Sequence, residues 1–226
     1  MIPRELLGRE RTENGTELAL YRRGGEYVIR VGSQDLMWSG SSHSEEEMAR
    51  IVIRRLGPLP APRVLVGWLG MGFTTRAALD ALPAAGEVVV AEIVPAVVGW
   101  NQGPLAHLAG RPLDDRRVRL ELEDVGRVIG AARAAFDAIL LDVDNGPQGL
   151  TRKGNQRLYG AAGLNAARKA LRPGGILAVW SAAPSPAFEA RLRAARFEAD
   201  TLRVRARGSD GGRVHSIFLG RVPAEG

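Results

Sequence analysis

Acids close three successive apolar runs of this chain, and their spacing suits nucleoside recognition and proton removal. The run Val88–Ala91 ends at Glu92, Val118–Leu122 ends in Glu123-Asp124, and Ala138–Leu141 ends at Asp142. In a parallel sheet all strand C-termini share one edge, so these acids converge on one crevice. Upstream, Val64-Leu65-Val66 feeds a turn holding Gly67, Gly70 and Gly72, and a helical pattern starts at Thr74 or Thr75. Glycines there let backbone approach a ligand. The third glycine of a dinucleotide fingerprint is replaced by Thr75, so the loop reads as a site for an adenosine without pyrophosphate. Glu92 lies about 20 residues past Gly72, the position from which an acid accepts from both ribose hydroxyls. Beyond Asp142 stands Asp144, and in extended backbone the two point to the same side. Adjacent carboxylates raise one another's proton affinity, and one of them could take a proton from an attacking amine.

Those acids need a scaffold, and the remaining pattern supplies one. Residues 1–43 read as a small antiparallel β unit: Asn14-Gly15 and Gly24-Gly25 are hairpin signals, and Leu18–Tyr21 and Tyr27–Val31 are strand-like. A helix and linker fill residues 44–61, with Ser44 and Glu47 as a capping box, and Gly57-Pro58 and the prolines after it as the stop. From residue 62 to 226, strand and helix patterns alternate. Helices are expected near 75–82, 95–109, Asn155–Leu171 and Pro186–Arg196, and further strands at Ile176–Trp180, 199–206 and 214–221. The alternation predicts a Rossmann-like, doubly wound, mostly parallel α/β sheet with an antiparallel C-terminal strand.

Composition narrows the class. The chain has 226 residues, 45% of them hydrophobic, which suits one globular domain with a small appendage. No apolar run reaches membrane-span length, and no signal-peptide core opens the chain, so a cytoplasmic protein is expected. Absence of cysteine excludes disulfides and thiolate metal sites, and His107 and His215 lack metal-ligand spacing and read as structural; no metal is expected. The net charge of +6 raises nucleic-acid binding. Yet nearly all the cations are arginines, and Arg203, Arg205 and Arg207 alternate as one solvated strand face, which argues against it.

Taken together, Val64–Arg76, Val90–Ile93, Arg117–Asp124 and Phe136–Asp142 resemble the spermidine synthase family, the polyamine aminopropyltransferases built on the class I S-adenosylmethionine-dependent methyltransferase fold. The resemblance covers about residues 26–221. It implies that Gly70, Met71 and Gly72 line the nucleoside site, that Glu92 holds the ribose and that Asp124 accepts from the adenine amino group. It places Asp142 beside the sulfonium as the essential carboxylate, with Asp144 as the second catalytic acid. The segment after the β unit supplies acceptor contacts in the family; Gln34, His43, Glu45 and Glu46 stand there, and Gln34, His43 and Glu46 are taken as substrate-binding. Met37 and Trp38 could floor an apolar pocket.

This chain departs from the family at three positions. Met71 replaces the Asp that reads the free amine of decarboxylated S-adenosylmethionine, Asn145 replaces a second acid, and Trp68 stands at the usual first loop glycine. Met71 cannot repel the carboxylate of intact S-adenosylmethionine, which tilts the expectation narrowly from aminopropyl to methyl transfer. The resemblance thus implies a transferase that uses S-adenosylmethionine or its decarboxylated form, acts on a small-molecule amine and forms a homodimer. The alternatives are spermidine synthase proper, a nucleoside-binding module without catalysis, and an RNA-binding or RNA-modifying protein.

Overall fold

The computed structural model describes residues 3–12, 15–142 and 155–224. The chain opens with a four-stranded antiparallel sheet in the order β1 (Glu5–Arg11), β2 (Glu17–Arg23), β3 (Glu26–Val31) and β4 (Gln34–Trp38). Leu18, Leu20, Ile29 and Met37 pack into the main core, and Ala19 and Val28 on the opposite face are buried as well, so the middle of the sheet is covered on both sides. Gly24 turns the β2–β3 hairpin at φ +62°.

Helix α1 (His43–Leu56) links this unit to the main sheet. The expected capping box at Ser44 and Glu47 does not form: the N-cap lies two residues earlier, at Ser42, which makes no side-chain cap bond, its Oγ donating instead to Glu46 Oε1 at 2.8 Å. Ser44 instead lies inside the helix, fully buried. The shift decides which helix face meets the sheet, since successive residues are set about 100° apart.

The seven-stranded sheet has the order β10-β11-β9-β8-β5-β6-β7. Its strands are β5 (Arg63–Gly67), β6 (Glu87–Ala91), β7 (Val118–Glu121), β8 (Phe136–Leu141), β9 (Leu171–Ser181), β10 (Glu198–Arg205) and β11 (Val214–Arg221). Strands β5 to β9 pair in parallel; β11 joins β9 and β10 antiparallel. The α/β expectation holds. The central strands read as continuous apolar runs because both faces are covered. On one face lie α1, α2 (Phe73–Ala81), α3 (Pro95–Gln102) and the N-terminal sheet, sharing one core with Val64, Val66, Val90 and Leu140. On the other lie α4 (Val125–Ala131), α5 (Asn155–Leu158), α6 (Ala161–Ala170) and α7 (Pro186–Ala194), around Leu65, Ile139, Phe188 and Phe218.

Two helices are shorter than the periodicity suggests. The 95–109 helix stops at Gln102, where Gly103-Pro104 breaks it and residues 103–110 continue as turns. The helix expected from Asn155 to Leu171 is two pieces, split at Tyr159-Gly160. No helix among the described residues is long and apolar enough to cross a membrane.

Candidate active site

Strand order reverses between β5 and β8: the chain continues from β5 to one side and from β8 to the other. A crevice forms outside the C-terminal ends at such a switch point. The β5–α2 loop, Glu92, Asp124 and Asp142 all stand on that edge.

The loop is held by its own backbone. Trp68 N donates to Ala91 O at 3.0 Å, and Gly72 N to Leu69 O at 2.8 Å. Gly70 sits at φ +54° and Gly72 at +85°, conformations that favour glycine. A Cβ on Gly72 would come within 2.9 Å of Pro112 Cγ, so this glycine also answers to packing inside the protein. Trp68 has φ +108°, the glycine conformation carried by a tryptophan. Met71 is fully buried and packs in the apolar core, so its side chain does not face the crevice.

Glu92 is 1% exposed. Its Oε2 accepts from Leu69 N at 3.1 Å and its Oε1 from Val94 N at 2.8 Å. It therefore ties the glycine loop to the entry of α3. Asp124 is the N-cap of α4, its Oδ1 accepting from Arg127 N at 3.2 Å. Beside these two acids stand Ile93, 37% exposed, and Leu122, 60% exposed. Two large apolar side chains held open at strand ends give a planar ring a surface to lie on. Their signal in the sequence is an apolar residue next to each strand-end acid.

Asp142 follows directly on β8 and is buried. Burial raises its pKa well above the usual carboxylate range, and the charge of Glu45 raises it further. Asp144 lies outside the described residues. The acid that acts on Asp142 is thus Glu45, on the first turn of α1, itself buried and pushed up by burial to about 7. Ser44 Oγ donates to Glu45 Oε2 at 2.6 Å and accepts from Trp180 Nε1 at 3.0 Å. His215 Nδ1 lies 3.0 Å from the same oxygen. When Glu45 is ionised and takes Ser44's one hydrogen, Ser44 accepts from His215 as well, and the imidazole then carries its proton on Nδ1. Burial, then the neighbouring Arg213, lowers the pKa of His215.

Glu45 borders a cavity of about 660 Å³ that Met37, Trp38, Trp180 and His215 also line. Of the residues expected to bind the acceptor, Gln34 is exposed at the start of β4. The ring of His43 packs against Gly208. Glu46 faces α2, bonded to Ser42 and to Arg50 at 2.6 Å, on a separate pocket with Phe73 and Arg76. None of the three lines the cavity beside Glu45. The displaced cap accounts for this, because it turns Glu45 inward and Glu46 aside. Among the described residues no group of three possible ligands could hold a metal ion.

A doubly wound, mostly parallel sheet with a glycine loop and strand-end acids at the switch point is an α/β fold of the class I methyltransferase type. No family model matches the sequence. Polyamine aminopropyltransferase 2 of Caldanaerobacter subterraneus subsp. tengcongensis is 31% identical over 161 residues, covering 66% of this chain and 52% of that protein. The match thus spans about half of the relative's length. A spermidine synthase solved with the transition-state analogue AdoDATO superposes with a TM-score of 0.75 at 15% identity, over 97% of this chain and 73% of that one. The spermidine synthase of Thermotoga maritima gives 0.74 at 15% identity, over 97% and 74%. The chain is thus similar in fold to the solved spermidine synthases, and in sequence to a polyamine aminopropyltransferase over about half of that protein's length.

Proposed function

We propose that the chain is a transferase that moves the aminopropyl group of decarboxylated S-adenosylmethionine to an amine. The observation that carries this reading is the buried carboxyl pair Glu45 and Asp142, coupled by charge, with Asp142 at the position where the resemblance to spermidine synthases implies a carboxylate beside the sulfonium. The identity to a polyamine aminopropyltransferase supports it. The narrow tilt toward methyl transfer rested on Met71 facing the donor's amine; with that side chain in the core the tilt loses its basis.

In this reading Glu92 and Asp124 orient the ribose and adenine, and Ile93 and Leu122 flank the ring. Two carboxyls at close quarters do not both ionise readily, so each holds its proton to higher pH than it would alone, and the negative charge the pair gains is the more basic for it. That charge attracts the acceptor's ammonium and takes its proton. The freed nitrogen lone pair attacks the aminopropyl carbon on sulfur. A C–N bond forms, the C–S bond breaks, and its electron pair stays on sulfur, giving methylthioadenosine. Burial keeps water from competing and holds the nitrogen in line.

The test is incubation with decarboxylated S-adenosylmethionine and a panel of amines, with mass spectrometry of the nucleoside products. Methylthioadenosine released only when an amine is present is the expected result. Formation of S-adenosylhomocysteine from intact S-adenosylmethionine, with no methylthioadenosine from the decarboxylated donor, would overturn it.

A further inference from the structure

We infer that the amine accepted here also carries an anionic group, such as the carboxylate of an ω-amino acid, and is not a simple diamine. The inference rests on the aminopropyl-transfer reading above and concerns the same cavity. Its lining holds the buried acid Glu45, with Asp142 close enough for their charges to interact. The same lining holds two cations, Arg207 and Arg213.

The two arginines are placed by the β10–β11 hairpin. Arg205 pairs with Val214, Ala206 N donates to Arg213 O at 2.9 Å, and a glycine-rich tip with Gly208, Gly211 and Gly212 at positive φ closes the turn. Arg207 and Arg213 therefore leave the same end of the ladder. Arg207 is laid over Trp38, its guanidinium carbon 4.8 Å from the ring centroid, which fixes it against the cavity wall. Neither arginine makes an ion pair with a described residue. The other acid on the wall, Asp35, does not neutralise them, because its carboxylate is held by Arg30 at 2.7 Å and Arg4 at 3.2 Å.

An occupant whose ammonium meets Glu45 thus shares the cavity with two guanidinium groups. A second ammonium is repelled by them. A carboxylate finds planar donors suited to bidentate pairing. The lining carries both signs of charge, and the ligand that matches carries both as well.

The experiment is calorimetric titration of the protein loaded with methylthioadenosine, using matched pairs of two lengths. These are 4-aminobutyrate against putrescine and 6-aminohexanoate against 1,6-diaminohexane. The amino acid should bind at least tenfold more tightly than its diamine at one length or both. The double variant R207Q/R213Q, altered only at exposed side chains, should lose that preference. Diamines that bind as tightly as their partners at both lengths overturn the inference. So does a preference unchanged in the double variant, or failure of all four amines to bind. If methylthioadenosine itself does not bind, the transferase reading falls and this inference with it; if it binds and the diamines win, only this inference falls.

Discussion

Replacing Glu45 by Gln should change how stability depends on pH, and the structure fixes both sign and size. The folded protein raises this carboxyl from 4.5 to about 7, chiefly by burial. Its contribution is fully present below the unfolded value and is lost as pH rises through the folded one. At about 1.4 kcal/mol for each pH unit, full ionisation costs the fold about 3 kcal/mol. Asp142 is raised in the same direction, in part by Glu45, so the variant relieves some of its penalty too. His215 works the other way: its lowered pKa adds stability as pH climbs toward 6.5. Asp115, lowered to about 2 by Arg117, titrates below this window. The difference between variant and wild type cancels His215 and Asp115 and leaves the Glu45 contribution together with its coupling to Asp142. Urea unfolding of both proteins, without ligand, at pH 5, 6, 7 and 8 makes the measurement. Glu45→Gln should gain about 3 kcal/mol on wild type between pH 5 and 8, whatever constant offset the lost charge leaves. Parallel profiles would refute the burial argument, and with it the raised basicity of the pair.

Glu92→Ala should weaken binding of adenosine ligands, and it should also destabilise the ligand-free fold by about 2–4 kcal/mol, because two backbone donors lose their charged acceptor; an unchanged urea midpoint counts against it. Trp68→Gly should be more stable than Trp68→Ala by about 1–2 kcal/mol, since φ +108° suits only glycine and both variants lose the same indole. Equal stabilities would mean the loop relaxes when the side chain is cut back. A homodimer is expected from the open edge of β1, where Leu6 is 44% exposed; a monomer mass by light scattering at high micromolar concentration removes that expectation.

What the sequence disclosed, and what it hid, divides by range of interaction. Buried parallel strands show as unbroken apolar runs, so Val64–Val66, Val88–Ala91 and Ala138–Leu141 were legible, and with them the acids at their ends. The loop glycines were legible because their conformations are local. The direction of Met71 was not, since a residue between two left-handed glycines can turn either inward or outward. Nor was Glu45 distinguishable from Glu46. That choice hangs on whether Ser42 or Ser44 caps α1, and Ser44 is drawn into the helix by Trp180 and His215, which are 136 and 171 positions away. No local pattern encodes such partners. A physical consequence follows for the site itself. Asp142 belongs to the main sheet and Glu45 to the helix that follows the N-terminal unit, and the two carboxyls meet only when α1 docks on that sheet. The Ser44–Trp180–His215 contacts set that docking. They hold the first turn of α1 against β9 and β11, and so set how strongly the charges of the two acids interact.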